Sequence, residues 1–178
     1  MKVKNSFLVK NMIRREQRVG VFVDVQNMYY SAKQLYDAKV NFHEILNVGV
    51  GTRKLVRAFA YVIKADVKEE VNFFEALEKM GYEVRMKDLQ IFLGGAKKGD
   101  WDVGMAMDMI KMAPKLDVVI LVSGDGDFRA LLEYVRTMGC RTEVIAFSKS
   151  ASAKLIEEAD SFLDLDKNKR RFLIVKKY

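Results

Sequence analysis

Cysteine and histidine are almost absent from this sequence. Its 178 residues include one cysteine, Cys140, and one histidine, His43. A single cysteine permits no intrachain disulfide and excludes a cysteine-rich metal site, which fits a protein of the reducing cytosol. A single histidine leaves little for a serine- or cysteine-based catalytic triad. We therefore expect both residues to be structural.

Long apolar runs and nucleotide-binding loops are also missing. The longest apolar run near the N-terminus is residues 7–9, too short for a signal-peptide core or a membrane span. Gly94, Gly95 and Gly99 do not spell a P-loop or a dinucleotide fingerprint. We expect a single-domain, soluble, cytoplasmic protein that makes no membrane contact and has neither an ATP site nor an NAD site.

Acidic residues are scarce at both ends of the chain. Residues 167–178 contain six Lys or Arg and no acid, and residues 1–18 contain six Lys or Arg and one acid. Because the net charge of the chain is only +7, the body between the ends is negative. Basic ends of this kind are either solvated tails or arms that attract a polyanion through counterion release.

Apolar runs of strand length alternate with segments of helical periodicity. Asn27 is expected to cap the first helix, and Pro114, the only proline, to end a helix that begins at Asp100 or Asp102. A short strand leading into a Gly- and Lys-rich loop is predicted within 89–100, and another short strand at 162–165. The main predicted strands are 19–25, 54–63, 82–86, 117–123 and 141–147, and the other predicted helices are near 28–38, 66–80, 127–138 and 149–159.

This alternation is typical of βαβ units. It predicts a three-layer α/β/α sandwich with a mainly parallel, Rossmann-like central sheet. In such sheets the ligand binds beyond the carboxyl ends of the strands, where the strand order reverses. The informative residues are therefore the polar ones that follow each strand.

Acidic residues follow two of the predicted strands. Asp24 ends the first strand, and Asp125 and Asp127 follow the strand at 117–123. Asp102, with Asp100 beside it, begins the intervening helix. If the two strands are neighbours, these carboxylates converge and repel one another unless a cation neutralises them. A hard divalent ion, Mg²⁺ or Mn²⁺, suits an all-oxygen site.

Each acid also has a purely structural interpretation. Asp24 could cap a helix, Asp125 and Asp127 could be turn residues, and Asp102 could be a first-turn helix acid. Trp101 could be a hydrophobic anchor or a base-stacking surface. Lys97 and Lys98 could be solvated or could hold a phosphate.

Three stretches resemble, in order and spacing, the NYN domain of the LabA-like group within the PIN-like superfamily. They read VFVDVQNMYY, KKGDWDVGMAMDM and VILVSGDGDFRALLEYVRTMGC, and SASAKLIEEADSFLDL resembles the closing segment of that domain. The resemblance covers residues 19–166. It leaves a basic N-terminal extension, 1–18, and a basic C-terminal tail, 167–178.

The resemblance implies a PIN-like fold and Mg²⁺- or Mn²⁺-dependent cleavage of RNA. Of the two neighbouring acids in the loop, Asp100 and Asp102, we favour Asp102 as the one that faces the metal. Arg129 could contact phosphate or pair with an acid. Asp24, Asp125 and Asp127 would hold one or two cations, and Asp102 would position the attacking water. The family's acidic cluster is matched by Asp24, Asp102, Asp125 and Asp127, and its supporting polar residues by Asn27 and Ser123.

Three functions remain open at this point. A ribonuclease that binds RNA is the first, and a catalytically silent module that binds RNA or protein on the same fold is the second. A metal-dependent phosphatase is the third, although no Asp-x-Asp-x-Thr motif follows the first strand. The basic ends and the apolar-rich body are also compatible with a homodimer.

Overall fold

Helices and strands alternate along the chain in the computed structural model, which describes residues 15–64, 68–91, 97–98 and 100–175. Short 3-10 turns lie at Ala113–Lys115, Gly126–Phe128 and Leu165–Asn168. The elements in chain order are β1 (Arg18–Asp24), α1 (Val25–Tyr36), β2 (Lys39–Val40), α2 (Phe42–Val50), β3 (Lys54–Lys64), α3 (Lys68–Lys79), β4 (Glu83–Asp88), β5 (Gln90–Ile91), β6 (Lys97–Lys98), α4 (Asp102–Met112), β7 (Val118–Val122), α5 (Arg129–Thr137), β8 (Arg141–Ala146), α6 (Ala153–Glu158), β9 (Ser161–Asp164), α7 (Lys169–Phe172) and β10 (Leu173–Ile174).

Six strands form the central sheet in the order β4-β3-β1-β7-β8-β9. Every neighbouring pair in this sheet is parallel. β1 lies between β3 and β7, and its register with β7 runs from Val19 opposite Val118 to Val23 opposite Val122. The predicted three-layer α/β fold is confirmed, and β1 and β7 end side by side at the same edge.

The core is divided by the sheet into two layers. Successive residues of a strand point to opposite faces, so Val21 and Val23 pack on one side and Phe22 on the other. The first layer is completed by α1, α2, α3 and α7, and the second by α4, α5 and α6. Each fully buried side chain such as Phe22 contributes about 1.5–3 kcal/mol to the free energy of unfolding. Both layers therefore hold the carboxyl edge of the sheet in a fixed geometry.

The segment predicted as a basic tail folds back on the domain as far as it is described. Phe172 is buried in the first core layer, and β10 pairs antiparallel with β2. The N–H of Asn41 donates to the carbonyl of Phe172 at 2.8 Å. Arg171 pairs with Glu44 at 2.6 Å. The described basic side chains of this segment, up to Arg171, are thus presented from the folded domain.

Several local elements differ from the sequence predictions. Asp24, not Asn27, caps the first helix, because its side chain accepts from the N–H of Asn27. Helix α2 was not expected, since only nine residues separate its cap from the turn at Gly51. The last predicted helix, 149–159, begins only at Ala153. The N–H of Ser152, in the loop before it, donates to the carbonyl of Gly124 instead of to a helical partner. Part of the predicted Gly- and Lys-rich loop, 92–96 and 99, lies outside the described residues, as do 65–67 at the start of the helix predicted from 66.

Candidate metal centre

The carboxyl ends of β1 and β7 form the crevice that the fold offers for a ligand. From β1 the sheet continues to β3 on one side, and from β7 it continues to β8 on the other. The strand order therefore reverses between them, which is the usual position of a site in an open parallel sheet. Asp24 ends β1, and Ser123 directly follows β7.

Three aspartates meet at this edge. Asp102, Asp125 and Asp127 each offer one carboxylate oxygen, and these oxygens all lie within 4.8 Å of one another. Asp102 is the first residue of α4, whereas Asp125 and Asp127 come from the turn between β7 and α5. We call these three residues the acidic cluster. The side chain of Asp125 also accepts from the N–H of Asp127 at 2.9 Å, so Asp125 shapes the turn in addition to offering an oxygen to the cluster.

Asp24 lies next to the acidic cluster but outside it. One of its oxygens accepts from the N–H of Asn27 at 3.0 Å, and the other accepts from the hydroxyl of Ser123 at 3.3 Å. Burial, together with the charges of Asp102 and Asp125, raises the pKa of Asp24 to about 6, against the opposing hydrogen bonds from Asn27 and Ser123. A carboxylate held in this way gains from any nearby cation.

Burial also raises the pKa of Asp102. The charges of Asp125, Asp100 and Asp127 act in the same direction, and the ammonium group of Lys87 opposes them. Because the surrounding acids disfavour the charged form of Asp102, the field at this edge is strongly negative. An edge of this kind has the electrostatics of a cation site.

Asn27 and Ser123 brace the turn that carries two of the acids. The side-chain carbonyl of Asn27 accepts from the N–H of Gly124 at 3.0 Å. The hydroxyl of Ser123 accepts from the N–H of Asp125 at 3.2 Å and donates to Asp24. Both predicted supporting residues therefore connect the first turn of α1 to the acidic turn.

Gly124 and Gly126 are packed against the loop that follows β8. A Cβ added to Gly124 would lie 2.9 Å from the Cα of Ala151, and one added to Gly126 would lie 2.8 Å from the hydroxyl oxygen of Ser152. The N–H of Ser152 donates to the carbonyl of Gly124 at 2.9 Å. The backbone contact leaves no room for a side chain at Gly124, so glycine is required for close approach there, whereas the first contact at Gly126 is with the end of a side chain.

Trp101 and Lys87 support the other side of the centre. The indole N–H of Trp101 donates to the carbonyl of Val62 at 2.8 Å, and its ring packs against Tyr61 at 5.3 Å. These contacts make Trp101 an anchor between α4 and the neighbouring strand β3. Lys87, which the sequence did not single out, donates to the carbonyl of Asp100 at 3.1 Å. Lys87 lies in a strand that is exposed along most of its length, and nothing local in the sequence connects it to the acids.

The two predicted phosphate-binding residues have different positions. Arg129 pairs with Glu158 at 3.3 Å, so the acid-pairing alternative is present in this structure. Lys98 lies in β6, and its side chain is outside the part of the chain that the structure describes. Asp100 does not belong to the acidic cluster of described residues, whereas Asp102 does.

A family model for the NYN domain matches residues 18–166. The chain belongs to the NYN domain family. This NYN domain is 26% identical over 166 residues to the Low amplitude and bright protein LabA of Synechococcus elongatus, with 87% of each chain covered. The resemblance to LabA-like NYN domains that the sequence motifs indicated is confirmed.

This NYN domain is also similar to a crystal structure of a protein of unknown function from Vibrio parahaemolyticus. The TM-score is 0.83 at 34% sequence identity, and the match covers 90% of this chain and 98% of that one. NYN domains are a PIN-like nuclease family, and the acidic cluster is compatible with a divalent metal. No helix in the described part of this NYN domain is long and apolar enough to cross a membrane.

The donor set of this NYN domain fits a hard divalent cation. All three members of the acidic cluster are carboxylates, and oxygen ligands are those that Mg²⁺ and Mn²⁺ prefer. Burial first, and the neighbouring acids second, raise the pKa values of Asp24 and Asp102, so both carboxylates are disfavoured in their charged form. A cation bound here would offset that repulsion.

Proposed function

We propose that this protein is a metal-dependent ribonuclease that hydrolyses RNA phosphodiester bonds at the acidic cluster, with Mg²⁺ or Mn²⁺ as its cofactor. The observation that carries the proposal is the convergence of three carboxylate oxygens within 4.8 Å at the strand-order reversal of an NYN domain. RNA is the substrate that the resemblance of the sequence motifs implies.

The residues divide into binding and supporting roles. Asp102, Asp125 and Asp127 would hold the cation, and Asp24 would add a fourth charge through the lone pairs that its two hydrogen bonds leave open. Ser123 and Asn27 keep Asp24 and the turn in place. When bound, the cation would supply polarisation of the phosphate and activation of water at neutral pH.

The acids alone would repel the substrate. A phosphodiester carries a negative charge and would meet Asp24 and the acidic cluster in the crevice. Lys87, whose ammonium group lies close enough to oppose the rise in the pKa of Asp102, is a basic group beside this edge. We assign Lys87 the role of holding the backbone carbonyl of Asp100 and of attracting phosphate toward the centre.

Removal and return of the metal test this function. After EDTA treatment the protein should not cut single-stranded RNA, and added Mn²⁺ should restore cleavage, measured on a labelled oligonucleotide by gel. Asp127→Asn should lower the Mn²⁺-dependent rate by more than about 100-fold, because losing a ligand costs more than losing a supporting residue. Glu133→Gln, an exposed change on α5 that removes the same charge, is the matched control.

The outcomes separate the three candidate functions. Equal cleavage by Asp127→Asn and wild type would show that the acidic cluster is not the catalytic centre. Binding of RNA by both proteins without cleavage by either would favour the silent binding module. Release of phosphate from small phosphomonoesters, with RNA left intact, would favour a phosphatase.

A further inference from the structure

The loop between β8 and α6 joins the acidic turn to the far end of α1. Ser152 donates its N–H to the carbonyl of Gly124, and Ala151 packs on that glycine. Three residues earlier than Ser152, the side chain of Lys149 lies over the ring of Tyr36, at the end of α1. The first turn of α1 holds Asp24 and Asn27, so the helix and the loop both border the acidic centre.

Two lysines converge on Tyr36 from different parts of the chain. The ammonium group of Lys149 is 5.7 Å from the centre of the Tyr36 ring, and that of Lys169, on α7, is 4.9 Å from it. Both lysines are exposed. The negative face of the Tyr36 ring attracts both ammonium groups, which offsets part of the repulsion between them.

The backbone under these lysines is fixed by two acids. Asp166 accepts from the hydroxyl groups of Tyr36 and Ser148 and from the N–H of Lys149. Asp164 accepts from the N–H groups of Ser148 and Asp166. The carboxylate oxygens of Asp164 and Asp166 thus accept the hydrogen bonds that hold this loop in place. Neither lysine ammonium group lies within 4.0 Å of a carboxylate oxygen among the described residues.

Four arginines elsewhere on the domain are compensated instead. Their carboxylate partners lie within 3.3 Å, which leaves them less able to attract a further anion. These pairs are Arg129 and Arg136 with Glu158, Arg18 with Asp117, and Arg171 with Glu44.

Exposed aromatic rings lie on α1 between Asn27 and Tyr36. Tyr29 and Tyr30 are 46% and 59% exposed, and their rings meet edge to face at 5.5 Å. Tyr29 precedes Tyr36 by seven residues, two turns of the helix, and so lies on the same side of α1 as Tyr36. Tyr30 follows Asn27 by three residues and lies on the side of Asn27. Tyrosine rings in such a position are suited to stacking with unpaired bases.

We infer that Tyr29, Tyr30, Tyr36, Lys149 and Lys169 form a surface that binds single-stranded RNA and leads it to the acidic centre. We call it the lysine–tyrosine surface. The assignment of RNA rests on the proposed function. Charge argues for a polyanion: the ammonium group of Lys149 acts on Asp166, but neither lysine is held in a salt bridge among the described residues, so both can approach a phosphate. The exposed rings favour a single strand, because bases within a duplex are not free to stack on a side chain.

The two lysines are tested by RNA binding in EDTA, where no cleavage occurs. Fluorescence anisotropy with a labelled, mixed-sequence RNA should show that Lys149→Ala with Lys169→Ala weakens binding about 20-fold at 0.1 M salt. The slope of log affinity against log salt should fall by about 1.4 in magnitude, since two phosphate contacts are lost. Lys111→Ala with Lys115→Ala, two exposed lysines toward the opposite edge of the sheet, should change neither quantity.

The contribution of Tyr30 is tested separately. Tyr30→Ala should weaken single-strand binding at least about fivefold, with an unchanged salt slope, because stacking involves no counterion release. Tyr134→Ala on α5, where the tyrosine is 49% exposed, is the matched control and should bind as wild type does. If Tyr30→Ala binds RNA as tightly as Tyr134→Ala does, Tyr30 does not belong to the lysine–tyrosine surface.

The nuclease proposal and this inference fail in different ways. Wild-type affinity and salt slope in the double lysine variant would overturn the lysine–tyrosine surface, whether or not the enzyme cuts, and would leave an acidic protein as the alternative partner. An absence of RNA binding by the wild type would overturn it as well. Lysine-dependent binding without Mn²⁺-dependent cleavage would support the surface and overturn the ribonuclease.

Discussion

Asp24 has two roles in the structure. Its side chain caps α1, which requires an oxygen acceptor, and it lies beside the acidic cluster, where its charge is opposed by burial and by other acids. The cap would be equally well satisfied by a neutral Asn. The charge of Asp24 is therefore not needed for the helix, and its presence is explained by the proposed metal centre.

Because the cap does not need the charge of Asp24, we predict that Asp24→Asn changes the free energy of unfolding in a pH-dependent way. The pKa of Asp24 is raised from 3.8 to about 6 in the fold, so the folded state holds the proton more tightly than the unfolded chain. Stability is lost as the pH rises between these values, and the loss stays constant above about pH 6. In EDTA at pH 7.5 the variant should be more stable than wild type by up to about 3 kcal/mol in urea unfolding.

The same comparison at low pH is the control. Below about pH 3 the wild-type carboxyl group is protonated in both states, so the advantage of Asp24→Asn should disappear. Mn²⁺ at pH 7.5 should raise the stability of wild type more than that of the variant. A variant less stable than wild type at pH 7.5 without metal would contradict a strained charge at this position.

At the scale of elements, the acidic turn depends on the loop packed against it. Gly124→Ala would place a Cβ 2.9 Å from the backbone of Ala151, which cannot rotate away. We expect a loss of about 1–3 kcal/mol in the free energy of unfolding and a displaced pair of acids. Mn²⁺-dependent cleavage should fall more than stability alone explains, measured at a temperature where the variant stays folded.

Gly126→Ala provides the comparison for that prediction. Its first contact would be the hydroxyl oxygen of Ser152, at the end of a short side chain. The hydroxyl can adopt another rotamer, so the loss should be smaller than for Gly124→Ala. If the two substitutions have equal effects, backbone contact is not what fixes the turn.

Elements differ in how far the sequence reveals them. The strands of the main sheet were predicted because runs such as VVILV are buried on both faces, which leaves a continuous apolar signal. Helix α2 was not predicted, since FHEILNVGV is short and contains Gly49, which packs against Ile145. Its closing Arg53–Glu143 pair joins residues 90 positions apart, and no local pattern indicates such a partner.

At the scale of the whole molecule, the C-terminal segment belongs to the core. Phe172 is 3% exposed, whereas Ile174 in the adjoining strand is 52% exposed. Phe172→Ala should destabilise the fold by about 3–5 kcal/mol in urea unfolding, and Ile174→Ala should have little effect. Equal, small effects would show that the segment does not contribute to the core.

The site was predictable from sequence only in part. The positions of Asp24, Asp125 and Asp127 after strands indicated an acidic edge, because parallel strands end together. The separation of Asp24 from the acidic cluster depends on hydrogen bonds with Asn27 and Ser123 that sequence does not show. Lys87, Lys149 and Lys169 were equally hidden, since their positions depend on which strands are neighbours and on where the chain folds back.

The central pairing of β1 with β7 has a consequence for the timing of synthesis. The hydrogen bond between Asp24 and Ser123 spans 99 positions, which a ribosome adding about 5–20 residues per second covers in about 5–20 s. During that interval Asp24 has been made, whereas Ser123, Asp125 and Asp127 have not. A nascent chain therefore carries no assembled acidic centre near its own messenger RNA until most of the polypeptide has been released.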